Sequence, residues 1–152
     1  MTEFAIANQP APSVKGWLMP ALLGNMLWIN ASETARYFVI VRPILHDAFP
    51  SAPHVAAVTP GIFAIWVVWD SMLILAATGF YWLYLTHFGT AIRNVIIAAT
   101  CLTITLFGLL WLGVANMGLA PLSLLWAALP LALLEQVISA LIVRWAMQRK
   151  RG

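Results

Sequence analysis

Apolar residues run almost unbroken through four stretches of the chain, about 17–41, 60–85, 91–115 and 122–147, separated by short polar or proline-bearing breaks. A helix rises about 1.5 Å per residue, so about 20 apolar residues span the hydrocarbon core of a bilayer. Within that core a helix also satisfies its own backbone hydrogen bonds. The pattern predicts an all-α fold, an integral membrane four-helix bundle forming a single transmembrane domain over residues 1–152. The segment 42–59 interleaves Pro43, Pro50 and Pro53 with His46, Asp47 and His54, and reads as an outer loop with a short interfacial turn. Residues 1–13, with Pro10 and Pro12, read as a mobile tail. No basic segment precedes the first apolar run and no small-residue cleavage site follows it, so it is expected to stay as a span.

The polar positions inside these runs carry the functional information. At about 100 degrees per residue, Asn25, Asn30, Ser32, Glu33 and Arg36 fall within an arc of roughly 160 degrees. Leu27, Trp28, Ala31, Ala35, Phe38 and Val39 lie opposite. Lipid cannot satisfy an amide or a carboxylate, so the polar arc must face other helices or water. Glu33 and Arg36 stand one turn apart and can pair, which offsets the cost of burying either. A second reading breaks the first helix near Asn30, because Asn30-Ala31-Ser32-Glu33 resembles a capping sequence. Broken helices expose backbone groups that bind ions or solutes at mid-membrane depth.

In the second span Asp70 aligns with Phe63, Trp66, Ala77, Tyr81 and Tyr84, a face expected to point inward, with Arg36 as a cation available to it. The fourth places Glu135 near its middle, beside Gln136, with Ser139 one turn on and Pro130 a little over one turn before. The third has no interior charge, only Thr100, Cys101, Thr103 and Thr105 with Gly108 and Gly113, and suits close helix contact. Counted along straight helices from the outer ends, Arg36, Glu33, Asp70 and Glu135 lie about 8, 12, 16 and 21 Å deep, a staggered line. A charged residue at a helix centre costs about 2.5 to 3.5 kcal/mol on insertion scales, so several of them imply a shared polar interior.

Composition strengthens the membrane reading: 62% hydrophobic and 9% charged residues, with eight tryptophans, lie outside the range of a soluble domain. Charge sets the orientation. Lys15, Arg93, Arg144, Arg149, Lys150 and Arg151 fall on the side shared by both termini, and Arg42 on the other, so both termini are expected to be cytoplasmic. For a bacterial source this is a multi-pass protein of the cell inner membrane. The net charge of +3 fits apposition to anionic lipid and gives no case for nucleic acid. Trp17, Trp82, Tyr84 and Trp145 fit an aromatic belt. The lone Cys101 excludes an internal disulfide or CxxC pair. His46, Asp47 and His54 make a weak ligand set, and neither metal nor cofactor is expected.

No motif assigns a family, a substrate or a catalytic residue. Asn25, Asn30, Glu33, Arg36, Asp70, Tyr81 and Glu135 form the candidate polar cluster, a binding site or a proton path. Three functions fit. The leading one is an accessory or assembly component of an inner-membrane complex, with the bilayer and a membrane-protein partner around it. The next is a small proton-linked transporter, a homo-oligomer using the buried carboxylates. The third is a lipid- or isoprenoid-processing enzyme with Trp66 and Tyr81 shaping an apolar pocket.

Overall fold

The computed structural model describes residues 14–52, 54 and 57–149. Among them the fold is helical and contains no strand. Helix α1 (Val14–Arg36) passes through a π-helical turn (Tyr37–Val41) directly into α2 (Arg42–Ala48). Helix α3 covers Pro60–Phe88. Helix α4 (Ile92–Thr103) continues through a second π-helical turn (Ile104–Gly108) into α5 (Leu109–Asn116), and α6 covers Leu122–Gln148. Three stretches, Pro60–Phe88, Ile92–Asn116 and Leu122–Gln148, are long and apolar enough to cross a membrane. They coincide with the second, third and fourth expected spans. The more polar first stretch is not among them. The expected tail, 1–13, lies outside the described residues, as do Pro53, Lys150 and Arg151.

Local chemistry sets the breaks. Thr59 caps α3 by accepting from the Ile62 amide, and Pro60 follows at the first helical position, where a missing N–H is harmless. Gly89, with φ of 89°, ends α3 in a conformation that side chains resist. Arg144 on α6 then donates to the Thr90 carbonyl at 2.8 Å and fastens this turn.

The structure decides between the two readings of the first stretch and changes one of its bounds. Helix α1 is unbroken at Asn30, whose amide donates back to the Met26 carbonyl at 2.7 Å instead of capping a new helix. The 42–59 segment is helical over its first part, Arg42–Ala48. Pro43 explains how the chain continues: its ring would crowd the carbonyl of Val39 in a regular helix, and the π turn that contains Val39 widens the backbone at that point. At the second π turn, the hydroxyls of Thr103, just before it, and Thr105, within it, donate to the Ala99 and Cys101 carbonyls at 2.8 Å each, competing with the regular ladder.

Helix α6 lies at the centre, packed against α1, α3 and α4. Its buried side is rich in small residues, Ala128, Ala132, Ser139, Ala140 and Ala146, which let backbones approach closely. Gly24 fixes the closest approach of α1, since a Cβ there would stand 2.8 Å from Ile142 Cγ2. The Trp28 indole N–H donates to the Glu135 carbonyl at 3.0 Å. Residue 24 thus meets 142 while 28 meets 135, which makes α1 and α6 antiparallel. Outward positions are apolar, among them Leu27, Val39, Ile65, Met72, Ile104 and Leu109, while Asn25, Arg36, Asp70, Glu135 and Gln136 are buried. This arrangement, polar inside and apolar outside, suits lipid. Trp17, expected at the interface, is instead core, stacked on Trp82 at 5.5 Å, because the small residues Ala21, Ala140 and Ala146 beside it leave room for an indole.

Candidate functional site

Arg36, the last residue of α1, turns its guanidinium into the interior and is 6% exposed. One nitrogen binds Glu33 one turn back; the other donates to Glu135 Oε2 of α6 at 3.3 Å. Gln136 donates to the other Glu135 oxygen at 3.1 Å, and the Tyr81 hydroxyl of α3 donates to Gln136 Oε1 at 2.7 Å. Ser32 lies in the wall of the same cavity as Glu135. A continuous chain of polar contacts therefore runs Glu33, Arg36, Glu135, Gln136, Tyr81 across three helices. Both oxygens of Glu135 are held, so the carboxylate has one orientation. Burial without such partners would be far more costly.

Asp70 stands beside this chain. It is 4% exposed, lies one turn after Trp66 and within reach of the charges of Glu33 and Arg36, yet its Oδ1 has no hydrogen-bond partner. Glu33 and Glu135 thus share one guanidinium and Asp70 adds a third carboxyl group nearby, so a proton or another cation is needed if the interior is to be neutral. Among the described residues, no three metal-ligating side chains converge.

Of the seven residues expected to cluster, Glu33, Arg36, Glu135 and Tyr81 join one hydrogen-bonded chain and Asp70 adjoins it. Asn25 is buried but belongs to a separate pair, its amide donating to Thr78 Oγ1 at 2.9 Å with Oδ1 unpartnered. Asn30 stays on its own helix backbone and joins neither. Arg36 and Glu135, well apart by straight-helix counting, meet through the reach of the arginine side chain. The Asp70 face turns inward at Ala77 and Tyr81, whereas Phe63 is exposed because the first turns of α3 have little packed against them. Gln136, Thr78 and Phe107 were not in the expected cluster. Gln136 had a signal in its place beside Glu135; Phe107 had none, since its role depends on the π turn.

Two cavities open onto the cluster. One of ≈ 430 Å³ lies between α1 and α6, with Trp28, Ser32, Leu131 and Glu135 in its walls. Another of ≈ 270 Å³ is walled by Glu33 and by aromatic side chains including Tyr37, Trp66 and Phe107. Arg36 belongs to the walls of both. Its guanidinium carbon also lies 5.0 Å from the centre of the Phe107 ring, a cation held on an aromatic face. Arg36 thus lines both cavities, a candidate partition between them, with Glu135 in the wall of one and Glu33 in the wall of the other.

Compared with known proteins, the chain matches no family model, no curated protein and no solved structure. The functional reading accordingly rests on the geometry alone.

Proposed function

We propose that the chain is a four-span protein of the inner membrane, with both termini cytoplasmic, that works as a small proton-linked transporter. The first stretch serves as the fourth span: its buried polar residues meet α3 and α6, Asn25 at Thr78 and Arg36 at Glu135, while Leu27, Phe38 and Val39 face outward, as lipid requires. The observation that carries the transport reading is the position of Arg36 between two cavities and two carboxylates. Protonation of Glu33 releases the guanidinium on one side, and protonation of Glu135 releases it on the other. Each event opens the partition toward a different cavity, which couples a proton to access. Gln136 and Tyr81 are positioning residues that keep Glu135 aimed at Arg36. The test is proton movement in proteoliposomes loaded with a pH-sensitive dye. Glu33→Gln and Glu135→Gln are expected to slow it about tenfold or more while preserving the fold; wild-type rates in both folded variants end this mechanism.

One observation favours a second reading, an accessory or assembly component of an inner-membrane complex. The ≈ 430 Å³ groove opens sideways past exposed Ala31, Ala35 and Leu134 while Ser32, Arg36 and Glu135 line it. A transmembrane helix of a partner protein would cover those polar groups. Native mass spectrometry from mild detergent separates the two readings: a stoichiometric second protein favours the accessory role, a homo-oligomer or monomer the transporter.

A further inference from the structure

The smaller cavity has a chemistry of its own. Five aromatic residues wall it, Tyr37, Trp66, Trp69, Phe107 and Trp111, contributed by the first π turn, α3, the second π turn and α5. Aromatic faces attract cations electrostatically, more strongly where water is scarce. The cavity already holds one example, the Arg36 guanidinium over Phe107. Carboxyl groups stand at two places: Glu33 in the wall, and Asp70 one turn from the wall residue Trp66, buried and with one oxygen free of any hydrogen bond. Glu33 and Glu135 pair with the one guanidinium and Asp70 is a third carboxyl group without an ion-pair partner among the described residues, so the cluster has room for the charge of a second cation.

The kind of cation follows from what the walls lack. A metal ion or a primary ammonium needs several oxygens to replace its water, and no three metal-ligating groups converge among the described residues. A quaternary ammonium donates no hydrogen bonds; it needs aromatic faces and a nearby counter-charge. The volume, ≈ 270 Å³, suits a small ligand of this type. We propose that this aromatic cavity is a binding site for a quaternary ammonium cation, with Trp66 and Phe107 as ring contacts and Asp70 and Glu33 as counter-charges. The proposal rests on the transport reading in one respect: it supplies the class of solute that the proton would be exchanged against.

The experiment is calorimetric titration of the full chain in nanodiscs with choline and with its uncharged carbon isostere, dimethylbutanol. Choline is expected to bind at least tenfold more tightly than the isostere, Trp66→Leu to weaken choline severalfold, and Asp70→Asn to remove most of the preference for charge. Trp69→Leu, at a half-exposed wall position, tests the ring contribution if Asp70→Asn fails to fold. Equal affinity for the two probes, or no choline binding by folded protein, overturns the site. Proton flux in the same preparation keeps the two claims apart. Choline binding without carboxylate-dependent flux upholds the site and ends the transport reading; carboxylate-dependent flux without choline binding does the reverse.

Discussion

At the scale of single residues, Arg36 carries the most. Its removal leaves Glu33 and Glu135 facing each other across α1 and α6 with no cation between them. Arg36→Leu is therefore expected to lower stability by about 3–5 kcal/mol, the usual consequence of stripping one partner from a buried pair, read as a lower unfolding temperature in detergent. The two asparagines of α1 separate cleanly. Asn25→Ala leaves the buried Thr78 hydroxyl without its donor and should cost about 1–3 kcal/mol, whereas Asn30→Ala gives up only a contact to its own helix and should stay within about 0.5 kcal/mol of wild type. Chemical unfolding of both variants checks the contrast. Sequence made the pairing of Glu33 with Arg36 legible, because one helical turn fixes it. It did not reveal Glu135 as the second partner, since that contact joins residues 99 apart and depends on how α1 slides along α6.

At the scale of elements, apolar run length fixed the three most apolar stretches to within a few residues, because bilayer thickness leaves helices little freedom. The irregular turns were hidden. A π turn arises where a proline ring or a back-bonding threonine disturbs the ladder, and hydrophobic patterning does not record that. Those turns place Tyr37 and Phe107 in the wall of the aromatic cavity, so its lining was not legible either. The contact between α1 and α6 offers a direct check. Gly24→Leu forces Ile142 aside and should cost about 1–3 kcal/mol, while Gly79→Ala on α3, with nothing within 4 Å of the added carbon, should be neutral or stabilising. Unfolding in detergent again measures both, and equal effects would mean that α1 does not press on α6 at Gly24.

At the scale of the whole molecule, helices with apolar outer faces enclose a charged interior that communicates with two cavities. Side-specific labelling tests the proposed orientation. In a Cys101→Ser background, cysteines placed at Ser13 and Arg149 should react with an impermeant maleimide from one side of the membrane and a cysteine at Ser51 from the other. Labelling of the Ser13 and Ser51 positions from the same side contradicts a four-span topology. The central claim, that the carboxylates flanking Arg36 carry protons, is tested most directly by proton flux into dye-loaded proteoliposomes under an imposed pH gradient. The account predicts flux in the wild type that falls about tenfold or more in Glu33→Gln and in Glu135→Gln. No flux in the wild type, with or without added choline, or undiminished flux in both folded variants, contradicts it.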